Sequence, residues 1–211
     1  MAPSLAKFLE DNGYFIGNKW YPRVTKIISI KRGSSVKKNP SAQGPIRPNN
    51  MPAWRVGQIV HEFAGSILSG EKKEVPKGME WAARALDDLF PHIITPLPEW
   101  TEKRICNRKE GYAGTVDMVA EINGVLTIID IKTGRNILDE YRLQTSAYAE
   151  ALREEGLVVK ERAIFHLTPD GGQIYFLGPW DRDFEAFLAA KNLFSWHYRK
   201  EISESGFGGD F

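Results

Sequence analysis

The stretch Gly111-Tyr-Ala-Gly114-Thr-Val-Asp117-Met-Val-Ala-Glu-Ile122-Asn123-Gly124-Val125-Leu-Thr-Ile-Ile-Asp130-Ile-Lys132-Thr-Gly134 decides the fold. An Asn-Gly pair between β-branched and apolar runs is a strong hairpin signal, because a type I′ turn needs positive φ at both central residues. With Asn123 and Gly124 as the turn, Ile122 pairs with Val125, Glu121 with Leu126, Val119 with Ile128, Asp117 with Asp130 and Thr115 with Lys132. Side chains alternate faces along a strand, so Asp117, Asp130 and Lys132 emerge on one face beside Val119, Leu126 and Ile128. Val116, Met118, Ala120, Ile122, Val125, Thr127, Ile129 and Ile131 take the other. Apolar residues on both faces predict a central element covered on both sides.

Two carboxylates directly opposite on a sheet repel and do not stabilise it. A hard divalent cation with oxygen ligands would neutralise them, and Mg²⁺ in particular takes one or two carboxylates and leaves its other positions to water and phosphate. Lys132, two residues beyond Asp130, adds a compact positive charge able to orient a water or stabilise charge on a phosphate. Metal, water and lysine together predict a phosphodiester hydrolase. The plain alternative is a partly exposed strand with an ordinary Asp-Lys pair.

Further motifs follow in order along the chain: Tyr21-Pro-Arg-Val-Thr25, Trp54-Arg-Val-Gly57-Gln-Ile-Val60-His61-Glu62, Gly114-Thr-Val-Asp117, Asp130-Ile-Lys132-Thr-Gly134 and Gln144-Thr-Ser-Ala-Tyr148. Together they resemble the PD-(D/E)XK nuclease superfamily in its RecB-like, phage-type exonuclease branch, which includes mitochondrial genome-maintenance exonucleases. The resemblance runs from Tyr21 to Tyr148. It implies an α/β fold, a restriction-endonuclease-like mixed β-sheet core flanked by α-helices, and a divalent-metal-dependent DNA exonuclease using Mg²⁺ or Mn²⁺. By that resemblance Asp117, Asp130 and the carbonyl of Ile131 are metal ligands, His61 and Glu102 complete the shell, and Lys132 acts on the nucleophilic water. Gln144 and Tyr148, four apart on one helix face, would brace Lys132 or meet phosphate. Asp130 departs from the Glu that many members carry, which shortens the ligand arm.

The accessory residues keep a second reading. His61 lies among Val56, Ile59, Val60, Phe63, Ala64 and Ile67, where a hydrogen-bonded histidine at the core edge is also consistent. Glu102 competes with Glu99 and Glu110, and Gln144 and Tyr148 could cap the edge of a core. Tyr141, Ala147, Ala151 and Leu152 read as packing.

The chain has 211 residues, 42% of them hydrophobic, enough for one domain with a sizeable core. Its net charge is +1, yet residues 12–61 carry nine Lys or Arg and no acid. Such a stretch suits phosphate contact, and Arg23, Lys26, Arg32, Lys37, Lys38 and Arg55 are its candidate DNA-binding residues. Its centre, residues 31–52, is rich in Ser, Asn, Gly and Pro and reads as a loop or arm. Residues 203–211 read as a flexible tail. Cys106 is the one cysteine, which excludes an intrachain disulfide and the four-cysteine iron-sulfur cluster of some relatives. There is no 18-residue apolar run and no signal or transit character at residues 1–15, so the expectation is a soluble, cytoplasmic protein, compatible with a phage origin.

The expected order is a strand at 21–29, helices at 53–68 and 78–89, and strands at 100–107, 111–122 and 125–133. A helix at 137–155, strands at 162–167 and 173–177, and a helix at 181–200 follow. The partner would be linear single- or double-stranded DNA, in recombination, replication or repair. Alternatives are a structure-specific endonuclease of the same superfamily, an inactive DNA-binding subunit, or a non-nucleolytic metal-binding protein. Oligomeric state is not legible.

Overall fold

The computed structural model describes residues 4–30, 51–68 and 74–206. The expected Asn-Gly hairpin is its central feature: β6 (Met118–Ile122) pairs antiparallel with β7 (Val125–Lys132) in the register read from the turn, from Ile122 opposite Val125 out to Met118 opposite Ile129. Asn123 and Gly124 have φ of 51° and 79°, the positive values a type I′ turn requires.

β7 is the middle strand of a five-stranded mixed sheet. β3 (Ile93–Pro96) lies antiparallel outside β6, while β8 (Glu161–Thr168) runs parallel to β7 and β9 (Gly171–Phe176) closes the far edge antiparallel. Parallel neighbours need a long crossover, and α5 (Glu140–Glu154) supplies it between β7 and β8. Both faces of the sheet are covered. Val119 and Ile128 pack with Leu143, Ala147 and Leu152 of α5, with Phe187 and Phe194 of α6 (Asp181–His197), and with Ile27 and Ile28 of α2 (Val24–Ser29). Met118, Ala120, Ile129 and Ile131 pack with Val56, Val60 and Ala64 of α3 (Ala53–Leu68) and Ala85, Leu86 and Leu89 of α4 (Glu80–Leu89). The α3 stripe recurs every four residues, the spacing of one helix face.

Arg162 on β8 is fully buried and bonds Asp183 at 2.7 Å and the carbonyls of Arg142, Gly178 and Pro179. It joins the sheet to the starts of α5 and α6.

The strand expected over 111–122 is two strands. β5 (Tyr112–Val116) leaves the main sheet and pairs with β4 (Lys103–Asn107) in a separate ribbon, with Thr115 opposite Arg104 rather than Lys132. The break falls at Asp117, whose carbonyl accepts the amide of Glu102 at 2.9 Å. That bond ends the β6–β7 ladder one residue before Asp117 would meet Asp130, and it resets the alternation. Val116 therefore packs with Val119 and Ile128 instead of with Met118.

Other boundaries also differ. The segment 21–29 is the end of β2 (Lys19–Pro22) followed by α2, because Val24, Ile27 and Ile28 are buried at helical spacing. Trp100 closes a 3₁₀ turn, and strand pairing begins at Lys103. α1 (Leu5–Asn12) and β1 (Gly13–Ile16), which forms a hairpin with β2, were not anticipated. The helix expected to reach residue 200 stops at His197, and α7 (Arg199–Glu204) takes in Ser203, the first residue of the expected tail. Most of the expected basic arm, residues 31–50, and the tail at 207–211 lie outside the described residues.

Candidate functional site

Asp117 sits where the chain passes from the ribbon into the sheet, and three bonds fix it. Its carbonyl holds Glu102, its Oδ2 accepts the amide of Ile131 at 2.7 Å, and its Oδ1 lies 3.5 Å from His61 Nδ1. The amide bond draws the carboxylate onto β7 without a ladder pair between the two aspartates. Ile131, expected as a ligand through its carbonyl, also holds Asp117 through its N–H. Glu102 lies just before β4 rather than on a strand, with φ of 48°, and its Oε1 is 3.1 Å from His61 Nδ1. His61 projects from α3. The ligand atoms of His61, Glu102 and Asp117 all lie within 4.8 Å of one another.

Asp130, on β7, is 1% exposed and stands beside this cluster rather than in it. Gln144 Nε2 donates to its Oδ1 at 2.9 Å and also reaches the Tyr148 hydroxyl at 3.2 Å. The other oxygen, Oδ2, is held by Lys132 Nζ in a close ion pair at 2.5 Å. Gln144 thus braces Asp130, where the sequence placed it against Lys132 or phosphate.

The electrostatics follow from crowding. Burial opposes the charged form of His61, but Asp117 and then Glu102 more than reverse this and raise its pKa to about 9. Burial pushes Asp130 up, with repulsion from Asp117 adding to it and Lys132 opposing. Lys132 is disfavoured as a cation by burial, yet Asp130 and Asp117 outweigh that and hold it above its usual value. Burial also carries Tyr148 well above the ordinary tyrosine range, so its hydroxyl stays neutral.

Asp117, Asp130 and Glu102 against Lys132 leave two negative charges when His61 is neutral. A divalent cation balances that set. Carboxylate oxygens with one imidazole nitrogen are donors a divalent cation accepts, and Asp130 Oδ2, ion-paired with Lys132, is a further oxygen beside them. The residues present fit such an ion.

His61, Glu102, Asp117, Lys132, Gln144 and Tyr148 line a cleft of about 270 Å³ together with Tyr14, Arg23, Val24, Thr25, Gly114 and Thr115, with Asp130 buried behind Lys132 and Gln144. Gly114 of the Gly-x-x-Asp motif has a packing cause. A Cβ there would lie 2.3 Å from Cε1 of Tyr148, so glycine is what lets the ring stand against β5. Tyr112 ties the same strand to α5 by donating its hydroxyl to the Ala147 carbonyl at 2.8 Å.

Of the candidate DNA-binding residues, Arg23 lines the cleft and donates to the carbonyls of Gly13 and Glu10. Lys26 is half-buried on α2, and Arg55 is ion-paired with Glu62 at 3.7 Å. Arg32, Lys37 and Lys38 lie outside the described residues. Two contacts went unread. Tyr141, taken as packing, sits with its ring 4.9 Å from Lys132 Nζ. Its spacing of three from Gln144 and seven from Tyr148 marks the same helix face. His166, opposite Lys132 across the parallel β7–β8 pair, bonds the Gly134 carbonyl at 2.6 Å, and no local signal announced it.

No helix among the described residues is long and apolar enough to cross a membrane. No protein-family model matches the chain, and no curated protein matches it in sequence. Among solved structures, SSO0001 superposes with a TM-score of 0.47 at 18% identity, over 95% of this chain and 92% of that one. A "putative exonuclease" from Eubacterium rectale superposes with a TM-score of 0.46 at 14% identity, over 72% of this chain and 68% of its own.

Proposed function

We propose that the protein is a divalent-metal-dependent deoxyribonuclease that hydrolyses phosphodiester bonds, acting as an exonuclease on linear DNA in recombination, replication or repair. The observation that carries this reading is one cleft in which His61, Glu102 and Asp117 converge beside the Asp130–Lys132 pair.

When bound, a divalent cation would polarise the phosphate, assist ionisation of the attacking water and stabilise the leaving oxygen. His61, Glu102 and Asp117 would hold the ion, with Asp130 a further carboxylate beside them. Lys132 is kept protonated by two carboxylates. Its task is therefore to orient the water and stabilise charge on the phosphate rather than to accept a proton. Gln144 and Tyr148 position Asp130. Tyr141 limits where the lysine ammonium can go.

The test is degradation of end-labelled linear single- and double-stranded DNA with Mg²⁺, Mn²⁺ or chelator. Asp130→Ala and Lys132→Ala should each abolish cleavage, with Lys132→Ala retaining most metal binding. Parent-like cutting by both variants would remove the assignment. Covalently closed circular DNA should resist; cutting it would mark an endonuclease instead.

A further inference from the structure

Two guanidinium groups lie against one aromatic ring at the mouth of the cleft. Arg23 stands 4.4 Å and Arg104 4.3 Å from the centroid of Tyr14, whose hydroxyl is 3.4 Å from that of Thr115. Neither arginine pairs with a carboxylate among the described residues; Arg23 spends its bonds on the neutral carbonyls of Gly13 and Glu10. Two cations held together without an acid repel, and stacking on a ring offsets only about 0.5–1 kcal/mol apiece at exposed sites. An anion satisfies both.

The stack is also a shared wall. Tyr14 and Arg23 line the cleft, while Arg104 lines a second groove of about 560 Å³ with Phe15, Lys103 and Arg108. Two acids stand at this groove and are tied to its backbone: Glu155, in the lining, accepts the amide of Cys106, and Glu154 accepts those of Arg108 and Lys109. Four cations, Lys103, Arg104, Arg108 and Lys109, are exposed along β4 and its turn and outnumber those two acids. Arg104 follows Glu102 by two residues, so their Cα atoms are at most roughly 7 Å apart, and cluster and stack lie within about one nucleotide step of each other. A cationic track interleaved with aromatic rings is the chemistry of single-strand binding.

We infer that a single-stranded segment of the polynucleotide leaves the cleft over Tyr14 and runs along β4, with Arg23 and Arg104 holding successive phosphates. This rests on the reading of the cleft as a phosphodiester hydrolase, and it is tested apart from turnover. The probe is a fluorescein-labelled oligodeoxythymidylate, titrated by anisotropy in chelator over a range of salt concentrations. Arg104→Glu should weaken binding roughly tenfold and reduce the salt slope by roughly 0.7; Arg108→Glu should do the same more mildly. Circular dichroism and thermal melts verify that each variant is folded, and Arg108→Glu decides the matter if Arg104→Glu is not. Parent-like affinity and salt slope in the folded variants, or a parent that prefers blunt duplex over the oligonucleotide, overturns the track. Binding that behaves as expected while no DNA is cut with Mg²⁺ or Mn²⁺ removes the hydrolase reading and leaves the track standing.

Discussion

Gly114 on β5 and Tyr148 on α5 pack so closely that a β-carbon on the glycine would stand 2.3 Å from a ring atom of the tyrosine. The ring in turn fixes Gln144, which holds Asp130. Gly114→Ala should therefore cost roughly 1–3 kcal/mol in chemical denaturation, the usual range for overpacking a filled core, and lower the hydrolysis rate because Asp130 loses its brace. Gly114→Ala with Tyr148→Ala should regain part of the stability without regaining the rate. A single variant with parent-like rate and stability would show that the ring can shift freely.

Metal binding should release a proton near neutral pH. His61 has a pKa of about 9 in the metal-free protein, raised against its burial by Asp117 and Glu102, and only the neutral imidazole can ligate. Metal affinity should thus rise with pH until about 9. The metal-free fold shows the opposite sign: the stabilisation from protonated His61 is complete below its unfolded pKa near 6.5 and is lost as pH rises through about 9. Calorimetry of Mn²⁺ binding in two buffers of different ionisation heat at pH 7.5 reads the proton directly. Equal heats would place His61 outside the ligand set.

Arg162→Met should destabilise the fold by roughly 3 kcal/mol, the scale for removing one partner of a buried pair. Asp183 and three carbonyls lose their shared donor. Urea unfolding measures this, and a change below about 1 kcal/mol would mean water replaces the guanidinium.

Cys106 should be inert. It is 1% exposed, and burial pushes its thiol up to about 11, away from the reactive thiolate. A maleimide at pH 7.5 should label it only after denaturant is added; rapid labelling of the native protein would show that β4 opens.

Local chemistry wrote the centre of the molecule into the sequence. Asn123-Gly124 admits one turn, and that turn sets every β6–β7 pair from Ile122 to Met118. The four-residue stripe of α3 and the Gln144–Tyr148 spacing of α5 likewise follow from helical period, a property of neighbours in the chain. Short elements such as α1, β1 and α2 escaped because a handful of residues carries too little period to read.

The site's final geometry belongs to tertiary structure. Whether Asp117 continues the ladder depends on the amide of Glu102, which the turn cannot see, and the carbonyl bond between them ends the hairpin one residue early. His61 meets Glu102 across 41 residues of chain, and His166 reaches Gly134 across 32. Those meetings arise because α3 packs on one face of the sheet while β8 pairs along the parallel edge of β7. Sequence by itself determined which acids and which lysine would gather on the hairpin; packing decided that Asp117 joins His61 and Glu102 while Asp130 stays with Lys132 and Gln144.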